Sequence, residues 1–460
     1  MTDLFGRTAR EEAVDALHSL TAIYTHEPVV DELLDSIAAV WPRRLARLLD
    51  PSVGAGAFIC RALERLMLSQ PEIDDASIIR VLAGYEIHPL AAEEARSQLA
   101  RILCRHGRAW PTAMAVAQQM VRIGDFLLDA HDGVPVAAFC TNPPYARMLR
   151  VPAILRADYE MVVPDFARGD LLHAFLERAS AQLAPGGIIS LITSAGWLMG
   201  QGAAKLRAEL GSKLGISRLE RVDADSAFYQ PKDRRRGTPP RVNPVLVVLQ
   251  QASCSTRPLG SDPIYPGVEE EPASASTLTL GQVATVRVAP WMGTPGIFVV
   301  DRAVAANFPA DEIVPVVDTD DLRGDVLGTP TRVALRTTRG RQPSEAVLAH
   351  LDANLHRMCQ RGRRPTRWLP PESLESFDLQ QEHLLIPRIA KTLRAVRMPA
   401  GTLAINHNLT CVSNGRLSLC EIQEILSSER SRKWVMDRAP RLEGGYLSIT
   451  TRFLRDLPVG

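Results

Sequence analysis

Apolar residues in the first half of the chain alternate between helical spacing and short continuous runs. Ala13, Leu17 and Leu20, with Val14 and Ile23 beside them, recur at helical spacing through residues 8–23 and lead into Tyr24-Thr25-His26-Glu27-Pro28. A second helix is predicted over residues 29–49, interrupted near Trp41-Pro42 because proline has no amide hydrogen for the ladder. Buried strands are predicted at 81–86, 120–123, 136–140 and 188–193, with a helix at 91–104 after the first and another starting at Asp170. Residues 145–169 form an irregular span rich in arginine (Arg147, Arg150, Arg156, Arg168), and 242–249 forms a late strand. Strands alternating with helices predict an α/β fold.

Residues 251–277 break the pattern with Ser, Pro, Gly and the acidic run Glu269-Glu270-Glu271, the composition of a linker. With 460 residues the chain is long for one domain. The reading is therefore a first domain over 1–250, a linker over 251–277 and a second domain over 278–460. The second opens with Leu280-Gly281-Gln282-Val283-Ala284-Thr285-Val286, whose alternation predicts a strand.

Composition narrows the class. A chain with 46% hydrophobic and 23% charged residues has the balance of a soluble globular protein. Asp3, Arg7, Arg10, Glu11 and Glu12 interrupt any signal peptide. Residues 179–204 carry no charge, but Pro185-Gly186-Gly187 breaks them, which favours a buried strand over a membrane span. The 7 cysteines (Cys60, Cys104, Cys140, Cys254, Cys359, Cys411, Cys420) are scattered and never spaced as CxxC. They read as reduced core residues of a cytoplasmic protein, with no metal site implied.

A formal net charge of +1 gives no global sign of nucleic-acid binding, so any such surface is local. Two basic clusters are candidates: Lys232, Arg234, Arg235, Arg236 and Arg241, and Arg361, Arg363, Arg364 and Arg367 beside Trp368. Either also reads as a solvated loop.

The candidate chemistry sits at strand ends, where open α/β sheets hold ligands. The strand at 136–140 ends in Asn142-Pro143-Pro144-Tyr145, whose prolines force the chain out of the ladder. An amide oxygen and the Pro143 carbonyl can accept hydrogens from a planar amino group, and Tyr145 can stack on its ring. The same tetrapeptide also reads as a stiffened turn. Asp50-Pro51-Ser52-Val53-Gly54-Ala55-Gly56-Ala57-Phe58 is a strand end and a glycine turn opening a helix, without the GxGxxG spacing. Glu86, before Ile87, ends the next strand, where an acid can bind ribose hydroxyls; Asp125 with Phe126 ends the third, where they suit an adenine.

The order YT-HEP, DPSVGAGAF, GYEIHP, GDF, NPPY resembles the adenine-N6 methyltransferases of restriction-modification systems, in the class whose cofactor motifs precede NPPY. The resemblance implies a Rossmann-like class I methyltransferase sheet and a second, C-terminal α+β target-recognition domain. It implies S-adenosyl-L-methionine as cofactor, with Thr25 at the methionine carboxylate, although His26 stands where the family has proline. Asp50 and the Gly54/Gly56 turn would hold the methionine part, Glu86 the ribose, and Asp125 with Phe126 the adenine, with Pro51, Phe58, Ile87 and Asn142 also among the cofactor-binding residues. Asn142, Pro143, Pro144 and Tyr145 would be catalytic. Trp197, in the loop after the strand at 188–193, and Phe228 or Tyr229 would meet an extruded base. Double-stranded DNA would be the partner, without a membrane, and a cognate restriction endonuclease would be a separate chain. A protein-glutamine or RNA methyltransferase, or a non-catalytic DNA-binding subunit keeping the fold, are the alternatives.

Overall fold

Buried strands apolar on both faces organise the N-terminal part of the chain. In the computed structural model, which describes residues 8–42, 46–130, 132–229, 243–268, 278–324, 326–364 and 366–460, the chain divides into two compact units, residues 1–267 and 268–460.

The first unit is built on an 8-stranded sheet: β1 (Arg47–Asp50), β2 (Leu82–Glu86), β3 (Val121–Ile123), β4 (Val136–Thr141), β5 (Leu183–Ser194), β6 (Leu214–Arg221), β7 (Pro244–Gln251) and β8 (Arg257–Pro258). Their spatial order is β8-β6-β7-β5-β4-β1-β2-β3. The five strands from β3 to β5 pair in parallel, while β7 runs antiparallel to β5 and β6. This is a doubly wound α/β sheet in the class I methyltransferase order, and its winding reverses between β1 and β4.

Helices cover both faces, which explains the unbroken apolar runs. Leu48 joins the core on one side and Leu49 the core on the other; Ala138 and Cys140 alternate in the same way with Phe139. Each large aliphatic or aromatic side chain buried there stabilises the fold by about 1.5–3 kcal/mol. On one side lie α2 (Glu27–Ser36), α3 (Ala57–Ser69), α4 (Pro89–Arg105) and α5 (Trp110–Met120). On the other lie α1 (Ala9–Thr21), α6 (Ala153–Val162) and α7 (Leu171–Gln182).

Three expectations are corrected here. The helix expected over 29–49 stops at Ser36, and Arg47–Asp50 is instead a central strand, because Leu48 and Leu49 fill opposite faces of the sheet. The span 145–169, expected to be irregular, contains α6, which buries Leu155 and Tyr159. The linker does not begin at 251: β8 pairs with β6, and Leu259 and Ile264 are buried in the core of the first unit. Residues 269–277 lie outside the described residues. Among the described residues, no helix is long and apolar enough to cross a membrane.

The second unit pairs two 4-stranded sheets. One contains β9 (Ala284–Val288), β13 (His383–Ile386), β14 (Val396–Met398) and β16 (Leu409–Ser413), in the order β9-β16-β13-β14. The other contains β10 (Val299–Asp301), β11 (Ile313–Val317), β12 (Arg332–Leu335) and β15 (Leu403–Ala404), in the order β10-β12-β11-β15. Leu280–Val283, expected to be strand, forms a helical turn capped by Thr279 before β9. Helices late in the chain close the first sheet through Ile422, Leu426, Val435, Phe453 and Leu454, giving an α+β unit.

Candidate active site

Four polar residues stand in a row across the carboxyl edge of the first unit's sheet. Asp125 follows β3, Glu86 ends β2, Asp50 ends β1 and Asn142 follows β4. Adjacent strands are about 4.8 Å apart, so the row crosses the point where the winding reverses.

A cleft of about 880 Å³, counted to its open mouth, runs along this row. Of the residues singled out from sequence, Thr25, Pro51, Gly54, Phe58, Glu86, Ile87, Asp125, Phe126, Asn142 and Pro144 line it. Local sequence accounts for the walls. Pro51 ends β1, and Gly54 and Gly56 take φ values of +55° and +101°, which let the turn fold over the start of α3. A Cβ on Gly54 would meet nothing within 4 Å, so the backbone there faces open space.

Each acid is held by protein donors. Glu86 accepts from the Gly54 amide at 2.7 Å and the His88 amide at 2.9 Å. Burial raises its pKa, against which the two amide bonds pull down. Asp125 accepts from the Leu127 amide at 2.9 Å and the Tyr159 hydroxyl at 2.8 Å, and burial raises its pKa as well. Asp50 Oδ1 accepts from Thr141 Oγ1 at 2.7 Å and the Ser52 amide at 3.2 Å. Its Oδ2 is buried without a hydrogen-bond partner, and burial pushes the carboxyl up to about 7. A buried acceptor without a donor is costly unless a ligand or water meets it.

The orientation of Asn142 follows from what surrounds it. Its Nδ2 donates to the Ile23 carbonyl and to Thr25 Oγ1, both at 3.2 Å. A carbonyl can only accept, so the amide nitrogen must face Ile23 and the amide oxygen must point away. That oxygen accepts from the Tyr145 hydroxyl at 2.9 Å. The backbone carbonyl of Asn142 accepts from Ser52 Oγ at 3.0 Å, tying the NPPY corner to the glycine turn.

Several assigned residues stand elsewhere. Asp50 does not line the cleft; its carboxyl lies beneath, against Thr141 and Ser52. Gly56 backs onto α4, where a Cβ would lie 3.2 Å from the Ala95 Cα, so close packing as well as its φ of +101° calls for glycine there. Pro143 is buried, and Tyr145 is half-buried against both cores. Trp197 is only 2% exposed and Phe228 only 5%; both are core side chains rather than walls of the cleft. The backbone of Phe228 pairs with Thr25, so its strand borders the site although its ring does not. The Tyr229 side chain and the basic residues Lys232 to Arg241 lie outside the described residues.

Sequence reasoning missed the opposite wall. Leu17 and His18 of α1, Tyr159 of α6, and Leu171 and Phe175 of α7 line the cleft. Phe175 meets Phe126 with ring centroids 5.4 Å apart, and His18 stacks on His88 at 4.0 Å. In sequence Leu17, His18, Leu171 and Phe175 read as parts of predicted helices and Tyr159 as part of an irregular span, and only the fold brings them to the strand ends. Among the described residues, no group of His, Cys, Asp and Glu is arranged to hold a metal.

A nucleoside-like ligand fits this arrangement: acceptors at the ends of the neighbouring strands β2 and β3, the Asn142 amide farther along the same edge, an aromatic wall and an open glycine turn. Residues 138–228 match the Eco57I restriction-modification methylase family. That match runs from within β4, the strand that delivers Asn142, to Phe228. The chain is also similar to Type II methyltransferase M.PaeR7I of Pseudomonas aeruginosa, 24% identical over 499 residues, covering 96% of this chain and 86% of that protein. Type II methyltransferase M.XhoI of Xanthomonas vasicola is likewise 24% identical, covering 95% and 90%. Among solved structures, the Type IIL restriction-modification enzyme MmeI in complex with DNA shares the fold, with a TM-score of 0.61 and 14% identity, over 96% of this chain. This chain spans 64% of the MmeI chain. The similarity to the Type II methyltransferases thus extends over nearly all of the sequence, while the family match covers residues 138–228.

Proposed function

We propose that the protein is a site-specific DNA methyltransferase that transfers a methyl group to N6 of an adenine flipped out of duplex DNA. The observation that carries this reading is the orientation of Asn142, whose nitrogen is fixed toward Ile23 so that its oxygen, which accepts from the Tyr145 hydroxyl, keeps a second lone pair for a substrate amine.

S-adenosylmethionine, when bound, supplies an electrophilic methyl group on a sulfonium. Glu86 and Asp125 would hold its ribose and adenine, Phe126 and Phe175 would wall the ring, and Thr25 and the Gly54 turn would border the methionine part.

An adenine amino group is a weak nucleophile because its lone pair is delocalised into the ring. Asn142 Oδ1 and the Pro143 carbonyl would accept its two hydrogens, favouring a tetrahedral nitrogen with a free lone pair. Tyr145 would release Asn142 and stack on the base. A base inside a duplex cannot reach a strand-end cleft, so the adenine must leave the stack, at about a few kcal/mol. The second unit would then choose the sequence, and a cognate endonuclease on a separate chain would complete a restriction-modification system.

The test is incubation of the full chain with methyl-labelled S-adenosylmethionine and genomic DNA, followed by hydrolysis and identification of the labelled base. N6-methyladenine at one recurring sequence is the expected product. Label in cytosine, in RNA or in protein alone would replace this reading.

A further inference from the structure

Asn406 and His407 are the only non-glycine residues with positive φ among the described residues, at 59° and 64°. Two consecutive left-handed side-chain-bearing residues persist only where their surroundings over-determine them, and such strain gathers at functional sites. The pair lies in the short connection from β15 to β16, which passes from one sheet of the second unit to the other.

The surroundings are visible. Asp318 accepts from Asn406 Nδ2 at 2.5 Å, from Asn408 Nδ2 at 2.9 Å and from the Thr319 amide at 2.7 Å. Asn408 Nδ2 also donates to the Ile405 carbonyl at 2.9 Å, and the Asn406 amide to the Pro290 carbonyl at 3.0 Å. A carboxylate only accepts, so the Asn406 amide nitrogen is fixed on Asp318, with one N–H and the Oδ1 left to face outward. Asn406 is exposed. The His407 ring stacks on Trp291 with centroids 6.3 Å apart and planes 17° apart. The Arg361 guanidinium lies over the same indole, 5.1 Å from its centroid.

The basic run beside it divides in two. Arg363 donates to the Met358 carbonyl at 3.2 Å, Arg364 to the Pro371 carbonyl, and Arg367 pairs with Asp352 at 2.8 Å. Arg361 has no acceptor among the described residues, and neither do the ring nitrogens of His407. Three arginines therefore bond within the unit, while the fourth joins a partly exposed platform of planar groups, with Arg361 and Asn406 exposed and Trp291 and His407 half-buried.

We propose that Asn406, His407, Trp291 and Arg361 form the patch by which the second unit reads duplex DNA, an inference that rests on the DNA-methylating reading above. The outward N–H and Oδ1 of Asn406 match the N7 and N6 edge of an adenine in the major groove, and Asp318 sets that amide in place before binding. His407, held flat by Trp291, contacts the neighbouring base pair. Arg361 contributes the charge that meets a phosphate.

The test maps methylated positions on genomic DNA for the full-length protein and for Asn406→Gly, His407→Gly and Arg361→Gln. Glycine relaxes the left-handed backbone, so the first two variants remove a side chain without adding strain. Discrimination at one position of the motif is expected to fall roughly 5- to 150-fold in Asn406→Gly. Arg361→Gln should leave the motif intact, weaken DNA binding and lower the slope of log affinity against log salt by about 1. Where a variant methylates too little to map, the ratio of its affinities for motif-bearing and scrambled duplexes replaces the map, and this ratio should fall for the glycine variants. An unchanged motif or ratio in both glycine variants overturns the assignment, and an unchanged salt slope removes Arg361 from the patch. A wild-type protein that methylates no DNA overturns the underlying reading instead.

Discussion

The Tyr145 hydroxyl donates a 2.9 Å hydrogen bond to Asn142 Oδ1, the oxygen that the proposed chemistry needs as its acceptor. Burial raises the tyrosine's pKa, so it remains a donor throughout the working pH range. In the proposed reaction a substrate amine would meet the same oxygen, in place of this hydroxyl or on the second lone pair beside it.

Removing only the hydroxyl frees the acceptor and keeps the ring. A net hydrogen bond contributes about 0.5–1.5 kcal/mol, so Tyr145→Phe should raise kcat/KM for DNA by roughly 2- to 10-fold, or leave it unchanged. Tyr145→Ala loses the stacking, worth about 1–3 kcal/mol, and should fall by roughly 5- to 150-fold. Steady-state kinetics on a duplex bearing the mapped motif separates the two variants. Equal losses in both would show that the hydroxyl, rather than the ring, does the positioning.

Tyr159 orients Asp125 at 2.8 Å from within α6, and its loss should act on cofactor affinity more than on turnover. Tyr159→Phe removes a hydrogen bond to a charged group, worth about 1.5–3 kcal/mol, so S-adenosylmethionine should bind roughly 10- to 150-fold more weakly. The same bond holds the Asp125 pKa down against burial and Asp129, with Arg10 assisting. Without it the carboxyl protonates more readily, so affinity in the variant should fail at a higher pH as the pH is lowered. Calorimetry between about pH 5 and about pH 8 reads both effects. Unaltered affinity and pH profile would make Tyr159 a packing residue.

Asp50 gives a sign that can be checked without substrate. Burial pushes its folded pKa up to about 7, above the ordinary carboxylate value of 3.8, so the folded state holds a proton that the unfolded chain releases. Its contribution to stability is therefore complete below the unfolded value and disappears as pH rises through the folded value, amounting to about 4 kcal/mol at most. Asp50→Asn should lose less stability than wild type between about pH 5 and about pH 8. Denaturant melts at the two pH values test this, and parallel losses in both proteins would contradict it.

Trp197 is packed in the core with its indole nitrogen buried and without a partner. Trp197→Ala should cost about 3–5 kcal/mol of stability, seen as a lowered melting midpoint. A variant of unchanged stability but altered DNA affinity would return this residue to the base-binding surface.

The strand ends were legible from sequence because their chemistry is local. Asp50-Pro51, Glu86, Asp125-Phe126 and Asn142-Pro143 each combine an acceptor with the residue or turn that ends a strand. What sequence hid was set by tertiary packing. Leu48 and Leu49 read as the tail of a helix because an apolar run too short for periodicity is ambiguous until both faces are known to be covered. Tyr159 looked like part of a loop because α6 has no side-chain cap to mark its start. Motif order points Trp197 and Phe228 toward the base, but it fixes only where a backbone passes and leaves open which way a ring turns.

The central claim is that the Asn142 side-chain oxygen receives the target amine, and it is tested most directly by Asn142→Ala. Calorimetry should give an affinity for S-adenosylmethionine within about threefold of wild type, since the loss is about 0.6 kcal/mol or less where a residue only borders the cofactor. Transfer of labelled methyl to DNA should fall by about 100-fold or more in the same preparation. A variant that binds the cofactor and methylates DNA at the wild-type rate would contradict the account.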